Sequence, residues 1–337
     1  MNFSPKATPS QRQKAVAGLV TSLNADKSPI LLGPWRSELG FETSYWLPFL
    51  TWLASQVPDF DTRAAVVTRG GLAPLYGSVA AQGFDLYALR SVTDVRRENL
   101  FDQKKSGLLK QTVVTDWDEA VLADAADALG LGAAYHVVHP AWMYWALAPY
   151  WTEEQGLTYL LSMTDYAPLP KLLMDGTLPP KYVAMKWYGR ATFPYPDPIV
   201  AEFVQHTVAT VAAQVPVVLL HVDGDFDDHN EIPIVGANVH RLPANLAPED
   251  NLITQAAVLS NAACFIGTYG GVAQTALRFG VPSVSFYSTW GGTAHAHLSL
   301  QSWLSKQTGT PFLVGSPEDS RIWRQVTSVV KPMQVAA

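Results

Sequence analysis

Short apolar runs, each closed by a turn of small or polar residues and followed by a longer stretch of helical periodicity, recur along the whole chain. Strands that alternate with helices in this way predict parallel sheets covered by helices. In the first half the pattern gives strands over 28–33, 63–68 and 84–89, weaker strands over 111–114 and 135–138, and helices over 43–56, 73–82 and 116–129. Pro48 falls inside the 43–56 helix, which either kinks there or begins its regular part there. Residues 92–107 are charged and read as a helix or a long surface loop. The aromatic stretch 142–151 suits a core, an acceptor surface or a membrane-facing patch. In the second half strands are expected at 182–186, 216–221, 237–240, 263–266, 282–287 and 311–314, with helices at 199–214, 248–261, 272–279, 294–305 and 317–330.

The rhythm is interrupted once. Tyr166-Ala167-Pro168-Leu169-Pro170 and Leu178-Pro179-Pro180 bracket a proline-rich stretch suited to a linker. The expected organisation is a polar N-terminal arm (1–27) with a weak helical pattern over 11–23, a first Rossmann-like lobe (28–165), the linker (166–180), a second Rossmann-like lobe (181–316), and a C-terminal helix and tail (317–337). A chain of 337 residues is long for one core and comfortable for two. Its 48% hydrophobic and 15% charged residues exclude a disordered protein. A net charge of −6 does not supply the concentrated basic surface that nucleic acid requires, so no nucleic-acid partner is expected. The single cysteine, Cys264, cannot form an internal disulfide and is compatible with a reducing compartment. The N-terminus has no apolar signal core, and no stretch reaches the ~18 apolar residues of a membrane span. A cytoplasmic protein is expected, with peripheral contact to the inner membrane face left open.

Candidate chemistry gathers on loops at the C-terminal ends of strands, where open α/β sheets bind ligands. In 263–287 a strand runs through the turn Gly267-Thr268-Tyr269-Gly270-Gly271 into a helix and the next strand. Glycines let a backbone approach a ligand, and a helix start offers unpaired N–H groups with a positive dipole end, which suits a diphosphate. Such turns also serve packing alone. This segment resembles the last nucleotide-gripping segment of glycosyltransferases with the two-Rossmann GT-B fold. The loop Gly33-Pro34-Trp35-Arg36-Ser37-Glu38-Leu39-Gly40-Phe41-Glu42 is similar to the acceptor-side loop of bacterial polysaccharide glycosyltransferases and of the protein O-fucosyltransferase group. That resemblance implies an acid facing the interlobe cleft, here Glu38 or Glu42, to take the proton of a sugar hydroxyl; the alternative is a helix-start charge and a solvated one.

Val183-Ala184-Met185-Lys186-Trp187-Tyr188-Gly189-Arg190 stands where fucosyltransferase-like enzymes carry a basic motif that grips the donor diphosphate. It departs from their His-Xaa-Arg-Arg pattern, and a guanine base is not carried over with it. Lys186 and Arg190 remain a reasonable diphosphate clamp or, in the alternative, solvated cations. Arg69, before Gly70-Gly71, suits a phosphate, an acceptor or a surface. Asp223-Gly224-Asp225-Phe226-Asp227-Asp228-His229 offers oxygen ligands for Mg²⁺ or Ca²⁺ but lacks calcium-loop spacing, and Asp227, Asp228 and His229 read as hydrogen-bonding groups for base or ribose. Thr254 and Gln255 reach a nucleotide or cap their helix. His295 and His297, two apart, do not share a helix face.

The resemblance implies an α/β protein of two Rossmann-like lobes with an interlobe cleft, acting as a nucleotide-sugar-dependent glycosyltransferase in polysaccharide biosynthesis. It further implies a glycan or lipid-linked glycan acceptor, with the nucleotide sugar as co-substrate and neither cofactor nor metal. A sugar-nucleotide epimerase of the same architecture and a non-catalytic sugar- or nucleotide-binding protein are the alternatives.

Overall fold

A computed structural model describes residues 3–106, 111–174, 178–190, 192–221, 230–288, 295–319, 321–322 and 324–326. The backbone divides into two compact units, Met1–Ala167 with Ala247–Ile253, and Pro168–Leu246 with Thr254–Ala337. The first unit holds α1 (Pro9–Asn24), β1 (Ile30–Leu32), α2 (Leu39–Phe41), a π-helical turn (Glu42–Trp46), α3 (Leu47–Gln56), α4 (Phe60–Arg63) and β2 (Ala64–Thr68). It continues with a 3-10 turn (Ala73–Tyr76), β3 (Gln82–Asp85), a second 3-10 turn (Leu86–Ala88), α5 (Val92–Ser106), α6 (Asp116–Ala128), β4 (His136–Val138), α7 (Pro140–Trp151) and α8 (Leu157–Leu161). Its sheet runs β3-β2-β1-β4, parallel throughout.

The second unit contains β5 (Val183–Lys186), β6 (Tyr188–Gly189), α9 (Pro198–Ala212), β7 (Val217–Leu219), β8 (Asn230–Glu231), β9 (Val239–Arg241) and most of α10 (Pro248–Asn261). It ends with β10 (Cys264–Thr268), α11 (Gly271–Arg278), β11 (Ser283–Phe286), α12 (His295–Thr308) and β12 (Phe312–Gly315). The parallel sheet β12-β11-β10-β5-β7-β9 is joined by an antiparallel ribbon of β6 and β8. Successive side chains of a strand face opposite ways. Val183 and Met185 accordingly pack with Val204, Val208 and Val211 of α9, while Tyr182 and Ala184 pack with Val258 and Leu259 of α10. Both faces of β5 are thus buried.

Several elements differ from the sequence pattern for local reasons. The weak helical pattern of the polar arm becomes a full helix that starts earlier: Thr8 and Gln11 form a reciprocal capping box, and the buried Arg12 guanidinium donates to the carbonyls of Pro5, Ala7 and Trp145. Residues 111–114 form no strand, because Gln111 turns its amide to the loop after β1, donating to the Pro34 carbonyl at 2.7 Å and accepting from the Arg36 N–H at 3.0 Å. The strand expected at 84–89 stops at Asp85, whose carboxylate accepts from the N–H groups of Gly71 and Tyr87 and so starts a 3-10 turn instead. In the 73–82 segment a 3-10 turn forms in place of the helix, and Gln82 already begins β3. The 43–56 helix begins its regular part next to Pro48, after the π-helical turn. Much of 317–330 lies outside the described residues.

The loop after β1 is held by a buried ion pair. Gly33 has φ +122°, and a Cβ there would stand 2.5 Å from the Val67 carbonyl oxygen. Arg36, 1% exposed, donates from Nε to Asp118 Oδ1 at 3.0 Å and from Nη1 to Asn99 Oδ1 at 2.8 Å. Asp118, fully buried on α6, also caps that helix through Thr115 and lies 3.4 Å from His139 Nε2. Burial works against its anion, but the nearby His139 ring and the Arg36 charge outweigh burial and hold the carboxyl well below the usual range. Removing one member of a buried pair strands the other. Arg36→Met is therefore expected to cost about 3–5 kcal/mol, read as a fall in the urea unfolding midpoint; an unchanged midpoint would show that the pair does not hold the loop.

Candidate functional site

In the first unit Glu38 and Glu42 lie one helical turn apart but in opposite surroundings. Glu38 is exposed, at the N-cap position of α2, and makes no side-chain cap to that helix. Glu42 is 1% exposed. Its Oε1 accepts from Thr68 Oγ1 at 2.5 Å and from Tyr76 Oη at 2.6 Å. Burial pushes its carboxyl up to about 7, against the pull of those two hydrogen bonds and of Arg69. Arg69 itself is buried and donates to the Ser37 carbonyl at 2.8 Å and to Tyr87 Oη at 3.5 Å. Gly70 and Gly71, at φ +66° and +79°, serve packing: a Cβ on either would press into Leu252 or into Glu249 and Ile253 at the start of α10.

In the second unit polar groups converge on the C-terminal ends of β5 and β10. Lys186, 5% exposed, donates from Nζ to Gln255 Oε1 at 2.8 Å and lies 3.6 Å from Glu231 Oε1. Thr254, beside Gln255 on α10, is half-buried. Lys186 pairs in register with Gly267, and a Cβ on Gly267 would stand 2.2 Å from the Lys186 carbonyl oxygen. The Thr268 hydroxyl accepts from the Tyr188 N–H and donates to the Tyr188 carbonyl, both at 3.1 Å, which locks the two strand ends together. Tyr269 follows, its phenol pushed up to about 12 by burial, and its backbone N–H donates to the Phe286 carbonyl. A Cβ on Gly270 would meet the Tyr188 hydroxyl at 2.0 Å and Arg190 Nη1 at 3.1 Å. The close approaches that Gly267 and Gly270 permit are therefore made by the protein itself.

Arg190 is exposed, and its Nη1 donates to the Tyr269 carbonyl at 3.4 Å, which sets the guanidinium beside the first turn of α11. Gly270 is the N-cap of that helix and Gly271 its first residue. Lys186, Gln255, Thr268, Gly270 and Arg190 are thus brought together, while Asp227, Asp228 and His229 lie outside the described residues. Among the described residues no group of three or more His, Cys, Asp and Glu side chains is placed to hold a metal ion, and no helix is long and apolar enough to cross a membrane.

Sequence reasoning missed two members of the second cluster. His221 Nε2 accepts from the Trp187 N–H at 3.2 Å, and Nδ1 lies 3.7 Å from Glu231 Oε2. Glu231 reaches the cluster because β8 pairs with β6, a contact between segments far apart in sequence that no local pattern announces. His221 has a local signal, as a polar residue directly after the buried run 217–220.

No protein-family model and no curated protein matches the chain. Solved structures of similar fold include the E. coli heptosyltransferase WaaC with ADP, 14% identical with a TM-score of 0.46, over 89% of this chain and 99% of that one. The E. coli ADP-heptose LPS heptosyltransferase II is 11% identical with a TM-score of 0.46, over 90% and 99%. A family 9 glycosyl transferase from Veillonella parvula is 13% identical with a TM-score of 0.45, over 92% and 99%. Values this low assign no activity.

Burial, with Lys186 and Arg241 adding to it, pushes the His221 imidazole down to about 3. An unfolded histidine titrates near 6.5, so between pH 6.5 and about 3 the unfolded chain binds the additional proton. Stability is present above that window and is lost as pH falls through it, by at most about 1.4 kcal/mol per pH unit. His221→Gln, which keeps an acceptor for the Trp187 N–H, is expected to flatten the acid limb of a melting-temperature profile. Identical limbs in both proteins would place the titrating group elsewhere.

Proposed function

We propose that this protein is a glycosyltransferase that moves a sugar from a nucleotide-activated donor to a glycan or lipid-linked glycan acceptor. The observation that carries the reading lies in the second unit: an exposed guanidinium, Arg190, stands at the start of α11, beside the strand end that bears Lys186. First-turn N–H groups of a helix have no intrahelical acceptor and sit at the positive end of its dipole. Together with two cations they suit the diphosphate of a nucleotide sugar. Cations so placed stabilise the charge that grows on the leaving diphosphate as the bond to the sugar breaks, with no metal needed for that purpose.

The acceptor hydroxyl must lose a proton as it attacks, and the first unit offers two carboxyls for the task. Glu42 is enclosed and already accepts two hydroxyl hydrogen bonds, whereas Glu38 is exposed at a helix start. Glu38 is the general base in this reading.

Calorimetry with GDP, UDP, ADP, CMP and TDP at millimolar concentration tests the donor half; binding of none of them would overturn it. For the nucleotide that binds, Arg190→Ala is expected to weaken affinity about 10- to 100-fold, the loss of one charge-assisted hydrogen-bonding group. Glu38→Gln is expected to slow sugar transfer ~10²–10⁴-fold with nucleotide affinity nearly unchanged. Normal turnover in that variant would remove Glu38 from the mechanism.

A further inference from the structure

Glu42 has no part in the proposed chemistry, yet the protein holds it more tightly than Glu38. Its carboxyl sits at the junction of three elements: the π-helical turn that it begins, the end of β2 at Thr68, and the 3-10 turn at Tyr76. Oε1 receives both hydroxyls, while Oε2, equally buried, has no hydrogen-bond partner among the described residues. The Glu42 N–H donates to the Glu38 carbonyl at 3.1 Å. The peptide of Glu38 is therefore one backbone hydrogen bond away from a residue pinned by two side-chain bonds.

We propose that Glu42 is a positioning residue whose buried carboxyl pins the turn carrying Glu38, and that loss of one proton from Oε2 loosens that turn. The inference rests on the reading of Glu38 as the acceptor-facing group. A carboxyl with one oxygen sealed away from water and from donors is stable as the acid, because an anion there would hold unsolvated charge. The groups facing it divide. Arg69, at the end of β2, favours the anion, and Asp85, on β3, opposes it. Tyr76 of the 3-10 turn and Tyr144 of α7 are pushed well above the usual phenol range by burial and remain neutral. Glu38 adds a further negative charge next to Tyr144. With Glu42 held near 7 the proton is on the carboxyl below neutrality and leaves above it.

Amide hydrogen exchange over residues 39–46, corrected for the intrinsic pH dependence of exchange, tests this without any substrate. Protection in the natural protein is expected to fall by up to about 10-fold per pH unit from pH 5 to about 7, the limit for one linked proton, and to be level above that, because the carboxyl of the loosened turn has already lost its proton at about 4.3 while the buried one holds it up to about 7. Glu42→Gln keeps the Oε1 acceptor and carries no proton to lose, so its protection is expected to stay level from pH 5 to 8.5. Thr68→Val removes one bond that favours the anion and is expected to move the fall to higher pH, which keeps the test open if Glu42→Gln does not fold. Level protection in the natural protein, or a fall retained in Glu42→Gln, overturns the proposal. Calorimetry with the same five nucleoside phosphates separates the two readings: absence of binding counts against the transferase, while the exchange profile alone decides the role of Glu42.

Discussion

Strands buried on both faces can carry polar chemistry only where they end, and that constraint governs where function can lie in this chain. β5 shows it most directly, with Val183 and Met185 in one apolar layer, Tyr182 and Ala184 in the other, and Lys186 as the first residue free of both. β2 repeats the arrangement, an unbroken buried run that ends on Thr68 and then Arg69. Because neighbouring strands are parallel, their C-terminal ends fall side by side, and residues far apart in sequence become neighbours. Lys186 and Gly267 meet for this reason.

Most of this framework is legible in the sequence, because burial on both faces writes itself as continuous apolar runs. The runs at 63–68 and 182–186 became β2 and β5 almost residue for residue, and the turn at 267–271 leads into α11 as its glycines suggest. The illegible parts depend on where one side chain finds its partner. Gln111 sits in a run that reads as a strand, yet its amide is drawn to the loop after β1. Asp85 ends a strand early by accepting two backbone N–H groups. Thr8 and Gln11 make a helix out of a polar segment whose apolar periodicity alone is weak.

The candidate site was legible to a similar degree. Residue types at strand ends singled out Lys186, Arg190 and the glycine turn, but not the reason for the glycines: Gly267 admits a neighbouring backbone and Gly270 admits the Tyr188 hydroxyl. Nor does spacing distinguish Glu38 from Glu42. Glu38 stands at an extended N-cap and Glu42 four residues on, and what encloses Glu42 comes from β2 and the 3-10 turn that follows it.

The two buried histidines among the described residues share a feature with a wider consequence. His139 Nδ1 accepts from the Ala141 N–H at 3.0 Å, and His221 Nε2 accepts from the Trp187 N–H at 3.2 Å. A ring nitrogen that accepts from an amide carries no proton, so His139 bears its hydrogen on Nε2, toward Asp118, and His221 on Nδ1, toward Glu231. The rings are opposite tautomers, each with its lone pair already engaged by the main chain. Neither can ligate a transition metal or accept a proton from a substrate without first breaking a backbone hydrogen bond.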